Sequence, residues 1–287
     1  MTTLAVISDA MRMLVDAAAQ RVVAIDVNGR SAASGVLWRD GLVVSAEEAI
    51  ADEERFEVTL PDGRAVEATL AGRDPSTDVA LLRLADTSGA VEPPALVNDV
   101  AAGELVLAIG RGRNGAIAAS GLVKESGGSW RSWAGGTIDR RVLLDLALDR
   151  RAHGGAVIDA EGRLVGLAAF APRRQALVIP AETVARIAAR LETTGSIARG
   201  YLGAGLHPLA AAAGAIIVSL DDSGPARHAG LHVGDILTRW NGEPIRGVHD
   251  VFRRLGPDTV GESVTLDVMR ADQQTQVTVA VAARPHK

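Results

Sequence analysis

Gly72-Arg73-Asp74-Pro75-Ser76-Thr77-Asp78-Val79-Ala80-Leu81-Leu82 is the stretch on which the reading of this chain turns. It leads out of one β-rich run, 65–70, and into another, 79–84. Similar runs precede it at 22–26, 35–38, 42–45 and 56–60. Others follow at 105–109, 116–123, 141–147, 155–159, 163–169 and 176–179. Asn28-Gly29, Asp40-Gly41 and Asp62-Gly63 punctuate them with hairpin signals, because tight hairpin turns need residues that tolerate positive φ. About a dozen short strands with tight turns predict a mainly β fold of barrels or a sandwich.

Two segments break that rhythm. Leu4, Ile7, Met11, Leu14 and Val15 recur at helical spacing over 4–18. Over 180–194, Val184, Ile187, Ala188 and Leu191 form one face, with Pro180 near the start and Gly195 after the end. That pattern predicts a helix closing a first domain, 1–195. A smaller α/β unit is expected over 199–285. It contains Ala229-Gly230-Leu231, Gly234-Asp235, the turn Asn241-Gly242 and a short helix with Val248, Val251, Phe252 and Leu255. The alternating runs Val264/Leu266/Val268 and Val277/Val279/Val281 look like a closing strand pair.

Composition narrows the function classes. Residues are 47% hydrophobic, enough for each domain to bury a core, and the formal net charge is −5 with no basic block, so nucleic acid is not an expected partner. There is no cysteine, which excludes disulfides and thiolate metal sites. Residues 1–10 lack a basic leader, and Asp9 and Arg12 interrupt the apolar stretch, so no signal peptide is read there. No apolar run reaches the ~20 residues of a membrane span. The expectation is a cytoplasmic protein, or a periplasmic one if a signal was removed.

Three segments resemble the trypsin-fold serine proteases of the HtrA/DegP family. Ser34-Gly35-Val36-Leu37 with Gly41-Leu42-Val43-Val44-Ser45-Ala46-Glu47-Glu48-Ala49-Ile50 is similar to the family's first motif, and sets Glu48 where the family has its general-base histidine. The opening stretch resembles G-x-D-x-x-(T/S)-D-(I/L)-A-(V/L)-L, with Asp78 on the triad aspartate. Arg151-Ala152-His153-Gly154-Gly155-Ala156-Val157 resembles GNSGGPLV. By that resemblance His153 replaces the nucleophilic serine, and Arg151 replaces a glycine that helps shape the oxyanion hole. Arg199-Gly200-Tyr201-Leu202-Gly203 is similar to the family's entry into a PDZ domain. The resemblance implies a trypsin-like double β-barrel followed by a small α/β PDZ domain.

Acyl transfer by this mechanism needs an oxygen nucleophile, a base that takes its proton and a group that orients the base. Only Asp78 remains, and His153 is the sole histidine before His207. The expectation is therefore a pseudoprotease with no catalytic residues, metal or cofactor. Two alternatives stand beside it: an active serine endopeptidase with a non-standard site, and a metal-binding protein using Glu48, Asp78 and His153. Two carboxylates in one poorly solvated site should raise the proton affinity of at least one. Ser126-Gly127-Gly128 carries the letters of a nucleophile motif but lies in a polar stretch read as an exposed loop.

By resemblance, the PDZ domain binds polypeptide C-termini or exposed apolar segments, as a scaffold, adaptor or chaperone in protein quality control. Such domains add a peptide as a strand and capture its carboxylate on a backbone loop. The capturing loop would be Tyr201-Leu202-Gly203-Ala204, and Val251, Phe252 and Leu255 would wall the groove. His207, His228, His232 and His249 read as surface residues. Homo-oligomerisation stays open: family members trimerise through N-terminal aromatics, and here none precedes Trp38.

Overall fold

The computed structural model describes residues 2–39, 41–50, 53–86, 92–209 and 213–285, so Asp40 of the turn at 40–41 lies outside the described residues. The chain forms two compact units, one of 1–130 with 138–197, the other of 131–137 with 198–287.

The first unit holds two closed six-stranded barrels. Strands Val22–Val27, Arg30–Arg39, Leu42–Ser45, Arg55–Thr59, Ala65–Asp74 and Val79–Leu84 make the first. Leu105–Gly112, Gly115–Gly127, Arg141–Asp145, Ala156–Asp159, Leu164–Ala171 and Gln175–Pro180 make the second. Several of these strands are apolar throughout rather than alternating, and the burial explains why. Successive side chains on a strand point to opposite faces. Val23, Ile25, Val43, Ala80 and Leu82 fill the first barrel, and Val106, Ala108 and Val157 fill the second. Their sequence neighbours Val22, Leu42, Val44, Val79, Leu81, Leu107, Ile109, Ala156 and Ile158 form a third core along the seam between the barrels.

Helix Ala181–Thr194 closes that seam with Val184, Ile187, Ala188 and Leu191. It ends at Gly195, whose φ of 69° is the left-handed cap that glycine takes without strain. Helix Thr3–Ala19 packs on the same core through Met11, Leu14 and Val15. Leu4 and Ile7, expected on that face, are exposed, so only the C-terminal part of the stripe is used. Ser126 and Gly127 are not in a loop: they end strand Gly115–Gly127, with Ser126 opposite Val142.

In the second unit, strands run in the order Ala204–Pro208, Ala215–Leu220, Ile236–Trp240, Ser263–Arg270, Gln273–Ala280, with helix Val248–Arg254 packed on the sheet. Residues 131–137, far away in sequence, fold with this unit. Arg131 pairs with Asp258, and Trp133 meets His249 edge-on at 5.0 Å.

Candidate functional site

The first barrel delivers Asp78 and Glu48. Asp74 is fully buried and accepts from Ser76 N–H at 2.9 Å, Ser76 Oγ at 2.5 Å and Thr77 Oγ1 at 2.7 Å. This side-chain-held turn is what the Asp-Pro-Ser-Thr letters encode. It sets Asp78 at φ 59°, a left-handed conformation that aspartate tolerates better than most residues. Asp78 Oδ1 then accepts the Glu48 N–H at 2.7 Å, fixing the one-turn helix Glu47–Ile50 against it.

The second barrel delivers His153. Its Nε2 lies 3.6 Å from Asp78 Oδ2, too long for a hydrogen bond, and among the described residues that buried nitrogen has no hydrogen-bond partner. The ring meets Phe170 edge-on at 5.2 Å, and the Arg174 guanidinium lies 5.2 Å over the Phe170 ring. The three side chains singled out from sequence therefore converge. Glu48 is exposed overall, but partial desolvation of its carboxyl and the neighbouring Asp78 raise its proton affinity, against a weaker opposing pull from His153.

The main chain around His153 is as informative as its side chain. Residues Arg150–Ala152 form a 3-10 turn capped by Asp149. The Arg151 N–H donates to Asp149 Oδ1 at 2.8 Å, and the His153 N–H donates to Arg150 O at 3.2 Å. Both N–H groups are thus turned to acceptors inside the protein. Arg151 keeps out of the left-handed region, and only Gly154 takes it, at φ 80°. A Cβ there would stand 2.4 Å from Ser34 O and 2.4 Å from Ser45 Oγ, so glycine is obligatory at the seam. The nearby serine hydroxyls are structural: Ser34 Oγ donates to Arg151 O at 2.6 Å and Ser45 Oγ to Ser34 O at 2.7 Å. Among the described residues, no group of three His, Asp or Glu side chains is arranged to hold a metal ion.

In the second unit, Gly203 has φ 71°. Leu202 O accepts from Ala226 N–H at 2.7 Å and Gly203 O from Asp221 N–H at 2.9 Å, while the Tyr201 hydroxyl donates to Asp221. The carbonyls of the loop are therefore tied down. Among the described residues, the Leu202 and Gly203 N–H groups have no intramolecular acceptor. The apolar wall differs from the sequence reading. Leu202, Val251 and Leu255 belong to the buried core; Val251 and the C-cap Leu255 do so because the short helix has only one face to lay on the sheet. Phe252 is 39% exposed, and Tyr201 and Ala204 are half-buried.

Residues 33–167 match the trypsin-like peptidase domain family and residues 200–281 the PDZ domain family. A curated relative from Brucella suis biovar 1, named a probable periplasmic serine endoprotease DegP-like, is 31% identical over 271 residues. The chain is a trypsin-like double barrel followed by a PDZ domain, and it is similar to the HtrA/DegP-like proteins. The match covers 88% of this chain and 52% of the relative, so this HtrA/DegP-like chain spans about half the length of the curated relatives it matches. A crystallised serine endoprotease from Yersinia pestis is 26% identical with a TM-score of 0.71, covering 96% of this chain and 98% of that one. The HtrA-type protease AlgW with a decapeptide shares the fold at 22% identity and a TM-score of 0.70, over 96% and 98% of the two chains.

Asp149 and Phe170 were not singled out from the sequence. Asp149 had a readable signal, an aspartate two residues before Arg151 at the spacing of a capped turn. Phe170 had none, since only strand pairing brings it to His153.

Proposed function

We propose that this HtrA/DegP-like protein cleaves no peptide bond and works by capturing polypeptide C-termini or exposed apolar segments through its PDZ domain. The observation that carries the first half is the turn at 149–153: an imidazole stands in place of a hydroxyl, and the two N–H groups that would face an oxyanion are already bonded to Asp149 and Arg150. Even a protease stripped of its triad keeps roughly a 10³–10⁴-fold acceleration from the oxyanion hole and binding. A turn with both donors engaged lacks that remnant too. Support for the second half is the Leu202–Gly203 loop, whose N–H groups have no intramolecular acceptor among the described residues, in a unit whose short helix exposes Phe252.

The curated relatives are named periplasmic serine endoproteases. Their names favour the periplasm over the cytoplasm expected from residues 1–10. They also make the active enzyme the competing reading. Incubating the purified chain with casein and with a fluorophosphonate probe separates the two. No cleavage and no labelling are expected, and labelling lost on mutating one serine of the first unit would overturn the silent reading. For capture, peptides with an apolar last residue should bind at roughly −7 to −8 kcal/mol, in the micromolar range. Amidating their carboxylate should weaken them; equal binding of free and amidated peptides would remove the carboxylate-capture reading.

A further inference from the structure

A cavity of about 350 Å³ opens in the first unit beside the turn that carries Arg151, walled by Arg151 and the hairpin tip 112–117. Among the described residues that line it, none is acidic. Each of its two arginines is held through Nε and Nη2. Arg113 gives Nε and Nη2 to Asp26 Oδ2 at 3.1 and 2.5 Å, and Nη2 also to Gly29 O at 2.9 Å. Arg151 gives Nε to Asp149 Oδ1 at 3.1 Å and Nη2 to Asp149 Oδ2 at 2.9 Å. Among the described residues, no hydrogen bond uses Nη1 of either one. The Asn114 side chain and the N–H groups of Arg113 and Asn114, in the two-residue turn between the paired Gly112 and Gly115, have no acceptor there either.

A guanidinium tied down by one edge has already lost its rotamer freedom, so its other edge binds without that cost. That edge presents directed N–H groups to an oxyanion, the geometry at which arginine excels. Asp26 and Asp149 neutralise part of the charge, and Glu57 acts on Arg113 through space. Arg150, on the same turn as Arg151, has no ion pair among the described residues. The volume is near the lower end for ligand pockets, roughly 300 Å³. It suits one anionic group on a small carrier, and the flanking carboxylates oppose an extended polyanion.

We propose that this cavity is an anion site, which takes a single carboxylate or phosphate group between Arg113 and Arg151. The arginine at position 151 would then do more than block a turn: with its N–H capped by Asp149, its side chain lines the new pocket. The site is independent of the PDZ groove and of whether the triad positions are silent. Gly112 keeps the floor open, since a Cβ there would already touch Arg151 Nη1 and Ile117 Cδ1 at 3.6 Å.

The test is a titration of the full ¹⁵N-labelled chain at low salt with inorganic phosphate and, separately, with succinate. The Asn114 side-chain and Gly115 amide signals should move and saturate. Saturation by succinate alone assigns a carboxylate, and saturation by phosphate alone a phosphate; either supports the site. Arg151→Gln and Arg113→Gln should each weaken binding about tenfold or more, the loss of one charge-assisted hydrogen bond. Gly112→Leu should abolish it with both charges in place. Because Arg113→Gln leaves Asp26 without its partner, Arg151→Gln and Gly112→Leu carry the test if that variant unfolds. Linear drift without saturation by both anions would mean an adventitious ion only and sink the proposal, as would wild-type binding by Arg151→Gln or by Gly112→Leu.

Discussion

On the proposed silent reading, placing a histidine at 48 and a serine at 153 should not by itself give a protease. The double variant Glu48→His with His153→Ser returns a base and a hydroxyl beside Asp78, whose Oδ1 already accepts the N–H of residue 48 at 2.7 Å. The turn would remain as it is, with the N–H of residue 151 on Asp149 at 2.8 Å and that of residue 153 on Arg150 at 3.2 Å. One missing oxyanion donor costs about 10²–10³ in kcat, roughly 2.7–4 kcal/mol of transition-state stabilisation. Adding Asp149→Ala and Arg151→Gly removes the acceptor that holds the first N–H and lets the backbone reach conformations closed to arginine. The quadruple variant should therefore exceed the double variant by at least about 10² in kcat/KM on casein or an activated ester. Melting curves of both variants would confirm that they are folded. If the double variant hydrolyses as fast as the quadruple one, the capped turn is no obstacle and the reasoning fails.

Glu48→Gln should stabilise the protein at neutral pH. Glu48 binds its proton more tightly folded than unfolded, so ionisation penalises the native state. That penalty is nil in acid, grows as pH rises above the unfolded value of about 4.3, and is complete above the folded one. Melts should show the variant ahead at pH 7 and level with wild type below about pH 4; an advantage that persists in acid would mean the cause is not charge. Asp74→Ala, which strands three donors in a fully buried turn, should cost about 3–5 kcal/mol in denaturant unfolding. Gly154→Ala should cost about 2–4 kcal/mol through its positive φ and the backbone it would strike. In the second unit, Leu202→Ala should lose about 2–5 kcal/mol of stability as a core truncation. Phe252→Ala should leave the melt unchanged and weaken peptide binding about tenfold, measured by fluorescence anisotropy; the opposite pattern would exchange their roles.

Much of this molecule could be read from local pattern. The strand runs, the turns at 28–29 and 62–63, and the helix ended by Gly195 follow from side-chain period and from which residues tolerate positive φ. These are properties of a few neighbouring residues, so the sequence alone determined them, together with the order of motifs by which the chain resembles the family and from which Glu48, Asp78 and His153 were singled out. Tertiary structure decided the rest, because it depends on contacts between distant segments. A fully apolar strand does not say which face fills a barrel and which fills the seam; the partner strands decide that. Leu202, Val251 and Leu255 have the residue types of a groove wall, but three-dimensional packing put them in the core and left Phe252 outside. The presence of Arg151 was legible, but its N–H on Asp149 and its side chain against the 112–117 hairpin were not. A hydrogen-bond donor finds its acceptor only once the backbone path is fixed, and that path is set by the whole barrel.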